Sequence, residues 1–150
     1  EGLRTVLADQ AFRGFHASIA REQALAGTDP IERLRAAGRG YVLFATGHPG
    51  LFRLMFSAAR VDHDDPALAE TSRAAYEQLG DTVRPFLRDP ADEAEDHRLR
   101  LLVWSTVHGY AQLLLEGRLK SRNVSADGLS HLPDLAAVVR GFDAAQGSGG

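Results

Sequence analysis

Apolar residues recur every three or four positions along most of the chain, which is the spacing of one face of an α-helix. The first stretch places Leu3, Leu7, Ala11, Phe15 and Ile19 at steps of four residues. Comparable repeats occupy the segments that start near residues 30, 66, 90 and 133. No run of alternating apolar and polar residues lies between turn signals, so the pattern predicts an all-α fold of about six helices.

Three Asp-Pro pairs mark where helices begin: Asp29-Pro30, Asp65-Pro66 and Asp89-Pro90. An aspartate caps a helix by accepting hydrogen bonds from its first N–H groups, and proline fits the first helical position because it has no N–H to leave unpaired. Helices are therefore expected to start near residues 30, 66 and 90. Glu32 follows Asp29 by three residues, which is the spacing of a capping box.

Glycine and proline separate the helices from one another. Ala26-Gly27 closes the first helix, the Gly-His-Pro-Gly segment at 47–50 divides the second from a short third helix, and Pro85 is expected to kink or end the fourth. The last helix follows Pro133. We assign residues 1–146 to a single domain and the Gly-Ser-rich residues 147–150 to a flexible tail.

The segment 99–117 is the most apolar of the predicted helices. Its polar side chains, Ser105, Gln112 and Glu116, fall in one narrow wedge of the helical wheel, with His108 at the edge. A helix that covers a single core needs an apolar stripe only about 100° wide. This helix has apolar surface for two contacts, which predicts that it packs in its own domain and also against a second subunit.

Composition limits the possible functions. The chain has 150 residues, a net charge of −3 and no cysteine, so disulfides, thiolate metal sites and a thiol nucleophile are excluded. The negative charge argues against this segment binding a phosphate backbone by itself. No apolar run approaches the length of a membrane span, and the start is not a signal peptide. We expect a cytoplasmic protein, and the dominance of arginine over lysine is typical of a GC-rich bacterium.

The acidic and histidine clusters offer little catalytic or metal-binding chemistry. His63 lies among Asp62, Asp64 and Asp65, but the cluster lacks the glycine and the distant glutamate of a calcium loop. The acidic residues near 92–96 fall in the first turn of a predicted helix, where negative charge stabilises the dipole. Because no catalytic or cofactor-binding motif is present, we expect neither an enzyme nor a metal or cofactor site.

Trp104 and His108 are separated by four residues and therefore share one helical face. One interpretation is a core tryptophan whose N–H is satisfied by a neighbouring histidine. The other is that both side chains line a cavity in which His108 orients a ligand. Gly109 would permit close approach of another helix beside them. Periodicity alone does not distinguish the two interpretations.

Two segments, 35–57 and 103–119, resemble the C-terminal regulatory domain of TetR-type transcription regulators. The first contains Tyr41, Val42, Phe44 and Ala45, followed by the His-Pro-Gly-Leu-Phe-Arg-Leu-Met-Phe run at 48–56. The second is similar to the branch of the family with a Trp-x-x-x-His-Gly motif, matched here by Trp104, His108 and Gly109. The spacing of the remaining helices fits the same domain.

The resemblance implies a homodimer that binds a small, mostly apolar or aromatic effector and takes part in transcriptional repression. The last two long helices would form a four-helix bundle with those of a second subunit. We place the ligand between the first helix and the helices that follow, at Phe15, Tyr41, Phe52, Met55, Tyr76, Leu79, Trp104 and His108. We place the dimer interface at Leu102, Thr106, Tyr110, Leu113, Leu135, Val138, Val139 and Phe142.

Such regulators begin with a helix-turn-helix domain, and nothing basic of that kind precedes Glu1. We therefore expect a truncated or processed chain that reaches operator DNA only through the absent N-terminal domain. Two alternatives remain open. The chain could be a structural dimerisation module that binds no ligand, or, with less support, an enzyme built on a helical bundle.

Overall fold

The computed structural model describes residues 2–57 and 64–147, and in these residues it contains six α-helices and no strand. The prediction of an all-α fold with six helices is confirmed. Short 3₁₀ turns at Arg84–Phe86, Lys120–Arg122 and Leu129–His131 connect the later helices. The helices are α1 (Gly2–Ala26), α2 (Pro30–Gly47), α3 (Pro49–Met55), α4 (Pro66–Val83), α5 (Glu93–Leu115) and α6 (Leu135–Gly147).

Two of the three predicted helix starts are confirmed, because Asp29 caps α2 and Asp65 caps α4. The Asp29 carboxylate accepts from the Glu32 N–H at 3.1 Å. The Asp65 carboxylate accepts from the N–H groups of Ala67 and Leu68. The capping box at α2 is only half formed, since the Glu32 carboxylate pairs with Arg35 at 2.9 Å.

The predicted helix start near residue 90 is wrong, because α5 begins at Glu93 with Asp92 as its cap. The Asp92 carboxylate accepts from the N–H groups of Ala94 and Glu95. Asp89 instead accepts from the Ala91 N–H within a turn. The second aspartate provides the same capping group three residues further on, and the sequence pattern alone does not say which of the two is used.

The ends of α1 and α4 coincide with a glycine and a proline, respectively. Gly27 has a φ of 86°, a left-handed conformation in which glycine commonly ends a helix. Pro85 lies in the 3₁₀ turn that follows the last residue of α4. His63 and residues 148–150 of the expected tail lie outside the described residues.

Helices α1 and α2 cross with their backbones in contact. A Cβ atom added at Gly40 would lie 2.6 Å from the Ile19 Cα atom and 2.8 Å from the Ser18 carbonyl oxygen. The Ser18 hydroxyl donates to the Gly40 carbonyl oxygen at 2.8 Å. Only glycine fits at this crossing, so the α1–α2 distance is set by a single residue.

Helix α5 packs on α2, α4 and α6 and supplies the centre of the core. Leu99, Val103, Val107 and Ala111 are buried on its inner side. The opposite side of α5 keeps three large apolar residues exposed: Leu101, Leu102 and Leu113. In the described residues, no helix has both the length and the apolar character needed to span a membrane.

The substitution Gly40→Ala tests the α1–α2 crossing. We expect the free energy of unfolding to fall by about 2 kcal/mol or more, because the added methyl group meets backbone atoms that cannot rotate away. Chemical denaturation followed by circular dichroism measures the change. Gly47→Ala is the matched control, since a Cβ there has no described neighbour within 4 Å. Equal stability of the two variants would contradict the tight crossing.

Candidate functional site

A cavity of about 240 Å³ lies between α1, α2, α4 and α5. Phe56, just after α3, and Leu135, at the start of α6, complete its wall. The lining residues are Phe12, Phe15, Ile19, Ala37, Gly38, Tyr41, Phe56, Ser72, Ala75, Tyr76, Gln78, Leu79, Thr82, Val103, Trp104, Val107 and Leu135.

The cavity wall combines large aromatic side chains with small residues. The rings of Phe15 and Tyr41 pack edge to face, with centroids 4.9 Å apart. Ala75 on α4 contributes only a methyl group to the wall. At Gly38 a Cβ atom would lie 3.1 Å from the Leu135 Cδ1 atom, so α6 reaches the cavity because this position has no side chain.

Among the described residues that line the cavity, none carries a charged side chain. Its polar groups are hydroxyls, one indole and one amide. Burying an unpaired charge in such a wall would be costly. The cavity is therefore suited to an uncharged, mostly apolar molecule.

A chain of hydrogen bonds runs from the cavity wall to the far side of α5. The Trp104 Nε1–H group donates to the Tyr41 hydroxyl oxygen at 3.3 Å. The Tyr41 hydroxyl also forms a hydrogen bond of 2.6 Å with His108 Nδ1. On the other side of the imidazole, the Gln112 Nε2 group lies 3.3 Å from His108 Nε2.

Burial favours the neutral forms of Tyr41 and His108, the two central groups of this series of hydrogen bonds. Desolvation raises the pKa of Tyr41 well above its ordinary value. Desolvation also lowers the pKa of His108, since aromatic rings surround the imidazole. The ring centroids of Phe52 and Phe56 lie 5.6 and 4.6 Å from that of His108. A neutral His108 keeps its hydrogen bond to Tyr41 without placing a charge behind the cavity wall.

Arg100 on α5 links this helix to α4 through Tyr76, a residue of the cavity wall. Its guanidinium lies 4.7 Å from the centroid of the Tyr76 ring and donates to the Tyr76 carbonyl oxygen. It also pairs with Asp96 at 2.7 Å, and this hydrogen bond lowers the pKa of Asp96. Gly80 gives the guanidinium its space, because a Cβ there would overlap it.

Five of the eight predicted ligand residues line the cavity: Phe15, Tyr41, Tyr76, Leu79 and Trp104. The other three, Phe52, Met55 and His108, are absent from the described lining, so their contact with a ligand stays a prediction. Phe52 and His108 both pack against the Tyr41 ring. Met55, the last residue of α3, is 2% exposed and lies in the core.

Several wall residues were missed, and some had a signal in the sequence. Phe12 and Ile19 lie three and four residues from Phe15 and so share its helical face. Gly38 lies three residues before Tyr41 in the same way. Gln78 and Thr82 had no such signal, because polar residues on a half-buried helix are usually assigned to solvent.

Three of the residues predicted for the dimer interface lie mainly inside the single chain. Tyr110, Leu135 and Val139 are buried in its core, and the Tyr110 hydroxyl donates to the Gly128 carbonyl oxygen. Their contact with a second subunit stays a prediction. Thr106, Val138 and Phe142 are partly buried, whereas Leu102 and Leu113 are 39% and 44% exposed.

We use the name outer face for the exposed side of α5 formed by Leu101, Leu102, Ser105, Gly109 and Leu113. Of the seven large apolar residues exposed in the described part of the chain, three belong to it. A Cβ atom at Gly109 would have no described atom within 4 Å. The outer face is therefore both apolar and open to close approach by another helix.

A family model described as tetracyclin repressor-like, C-terminal domain, matches residues 34–142 of the chain. This range runs from within α2 to within α6 and includes most of the cavity wall. Comparisons with curated proteins and with solved structures give no match.

The neutral state of His108 predicts a pH-dependent stability. In the folded protein burial holds the pKa of His108 below its ordinary value of about 6.5. The unfolded chain therefore takes up this proton first as the pH falls. The stabilisation is complete above pH 6.5 and is lost as the pH falls toward the lowered pKa.

We expect thermal unfolding between pH 7.5 and 5 to show a smaller drop in Tm for His108→Gln than for the unchanged protein. Glutamine offers an amide group that can bond to the Tyr41 hydroxyl in place of the imidazole, and it does not titrate. His131→Gln, in the loop before α6, controls for removal of a histidine in general. Identical pH profiles for His108→Gln and the unchanged protein would refute the buried neutral imidazole.

Proposed function

The chain belongs to the family of tetracyclin repressor-like C-terminal domains, and on this premise we propose that it senses a small, uncharged, mostly apolar effector as a homodimer. The family is a regulatory and not an enzymatic one. The observation that carries the proposal is the cavity between α1, α2, α4 and α5, whose wall is almost wholly apolar and aromatic.

The volume of the cavity limits the size of the effector. An apolar cavity of about 150 Å³ accepts benzene, so one of about 240 Å³ accommodates a molecule of one or two rings. The aromatic rings of Phe15, Tyr41 and Trp104 in the wall favour a ligand with an aromatic ring. We therefore propose an aromatic effector of this size.

The position of the cavity supports a mechanism of regulation. Phe12, Phe15 and Ile19 bring α1 into direct contact with the ligand volume, and Gly40 holds α1 against α2. A ligand that prefers one placement of α1 shifts the domain toward that arrangement. We propose that α1 carries this change to a DNA-reading domain on its N-terminal side, as in a cytoplasmic repressor.

The outer face of α5 supports dimerisation. We propose that it pairs with the same face of a second copy and that the exposed side of α6 joins it in a four-helix bundle. Ala137, Gly141 and Ala145 on that side of α6 are exposed and small. An isologous interface of this kind would bury Leu102 and Leu113, which the single chain leaves half exposed.

We also assign the chain to the branch of the family with a Trp-x-x-x-His-Gly motif. Each motif residue has a separate place in the structure. Trp104 lines the cavity, His108 bonds to Tyr41 behind it, and Gly109 opens the outer face. The motif therefore spans α5 from the proposed ligand site to the proposed interface.

Ligand binding is tested by filling the cavity. Trp104 is the single tryptophan, so its indole N–H resonance in a ¹⁵N NMR spectrum reports on the wall directly. We expect naphthalene to shift this resonance in the unchanged protein and to leave it in place in Ala75→Phe, whose ring occupies the open volume. Ala69→Phe, on the exposed side of α4, is the control and should respond like the unchanged protein. An unshifted resonance in the unchanged protein would favour a dimerisation module without a ligand.

Dimerisation is tested by placing a charge on the outer face. Leu113→Glu should convert the dimer to a monomer in sedimentation equilibrium, because the interface would bury an unpaired carboxylate. Leu25→Glu is the matched control at a leucine that is 79% exposed on α1, and it should remain dimeric. A dimeric Leu113→Glu variant would exclude this face.

A further inference from the structure

Contacts between the helices show how the residues of the cavity wall are ordered along its length. Helices α1 and α4 run in the same direction, because hydrogen bonds join them in matching order: Asp9 with Thr71, His16 with Gln78, and Gln23 with Thr82. Helix α2 runs the opposite way, since Gln23 of α1 bonds to the Arg33 carbonyl oxygen and Phe15 packs on Tyr41. Early positions of α1 and α4 therefore lie level with late positions of α2.

One end of the cavity has an aromatic wall. We use the name aromatic end for the part lined by Phe12, Phe15, Tyr41, Phe56, Tyr76 and Trp104. The Trp104 Nε1–H group donates to the Tyr41 hydroxyl, and the ring centroids of Trp104 and Phe56 are 6.4 Å apart. Phe12 lies one turn before Phe15 on α1. Tyr76 is 38% exposed, so this end lies nearer to solvent.

The other end has an aliphatic wall. We use the name aliphatic end for the part lined by Ile19, Ala37, Gly38, Leu79, Thr82 and Leu135. Ile19 lies one turn after Phe15, and Gly38 lies one turn before Tyr41 and in contact distance of Leu135. None of the described residues at this end is aromatic, and the Thr82 hydroxyl already bonds to Gln23 and to the Gln78 carbonyl oxygen. Ile19, Thr82 and Leu135 are buried, so this end lies deep in the domain.

The cavity is elongated along the helices. Its wall extends on α4 from Ser72 to Thr82, which is about 15 Å at the helical rise of about 1.5 Å per residue. Its volume of about 240 Å³ exceeds by about 90 Å³ the roughly 150 Å³ of a cavity that holds benzene. At about 30 Å³ for a group of the size of a water molecule or a methylene, the difference leaves room for about three or four carbons.

We propose that the effector is an aromatic ring with an unbranched alkyl chain of about three or four carbons, held with the ring at the aromatic end and the chain at the aliphatic end. This inference rests on the proposed function, since it concerns the same cavity and narrows the class of ligand. Aromatic rings pack on one another edge to face or offset. An alkyl chain gains binding energy from burial alone and requires no hydrogen-bond partner at the aliphatic end.

The test is a series of probes whose chain grows by single carbons: benzene, toluene, ethylbenzene, n-propylbenzene and n-butylbenzene, with n-hexylbenzene as the longest. Their dissociation constants are measured by calorimetry on the full chain. Burial of one methylene group strengthens binding about fourfold. We expect the dissociation constant to fall by about this factor per carbon up to n-propylbenzene. It should fall no further from n-butylbenzene to n-hexylbenzene, because the aliphatic end is then full.

The same substitution at each end of the cavity gives a matched pair of variants. Ala37→Leu adds its side chain at the aliphatic end, so it should remove the gain per carbon and leave the affinity for benzene nearly unchanged. Ala75→Leu, beside Tyr76 on α4, should weaken the binding of benzene and keep the gain per carbon. Ala37→Val adds a smaller group and is a second variant that disturbs the packing less.

The outcomes separate the inference from the proposed function. A loss of the gain in Ala37→Leu and Ala37→Val but not in Ala75→Leu supports the inference. A gain that persists in both Ala37 variants, or that is lost in Ala75→Leu alone, refutes the placement of the chain, and a gain that continues to n-hexylbenzene refutes its length. If all probes and naphthalene bind the unchanged protein without a gain per carbon, the inference fails while the ligand site stands. If none of them binds, both fail.

Discussion

The contact of α1 with α2 at Gly40 is the constraint on which the rest of the structure depends. The backbones touch at this point, and the Ser18 hydroxyl joins them through the Gly40 carbonyl oxygen. Tyr41 is the next residue, so the crossing fixes where its ring enters the interior. That ring forms part of the cavity wall with Phe15, and its hydroxyl bonds to His108 on α5. One position without a side chain thus connects the helix that would transmit a signal with the wall that would receive it.

The hydrogen bonds behind this wall determine which chemical groups face the cavity. Because Trp104 and Tyr41 use their polar groups on each other and on His108, they present mainly ring surface to the open volume. The neutral imidazole supports the arrangement through its hydrogen bond to Tyr41 and adds no charge. The wall therefore presents a mainly apolar and aromatic surface to the open volume.

The sequence predicted the elements better than the site. Spacing, caps and breakers were sufficient for six helices, since these signals act within a few residues. The site depends on which helices meet, and a helical wheel does not contain that information. The helical wheel predicted His108 in the cavity because His108 shares a face with Trp104, but in the structure His108 bonds to Tyr41 of α2 and is absent from the described lining. The wheel also predicted Tyr110 at a subunit interface, but the Tyr110 hydroxyl bonds to Gly128 in the segment between α5 and α6.

A crystal structure of the protein grown with naphthalene is the most direct measurement on the central claim, which is that the space between α1, α2, α4 and α5 is a ligand site. The account predicts density for two fused rings between Phe15, Tyr76 and Trp104, with the helices in the order and contacts described above. A cavity closed by repacked side chains, with the ligand absent or bound elsewhere on the surface, would contradict it.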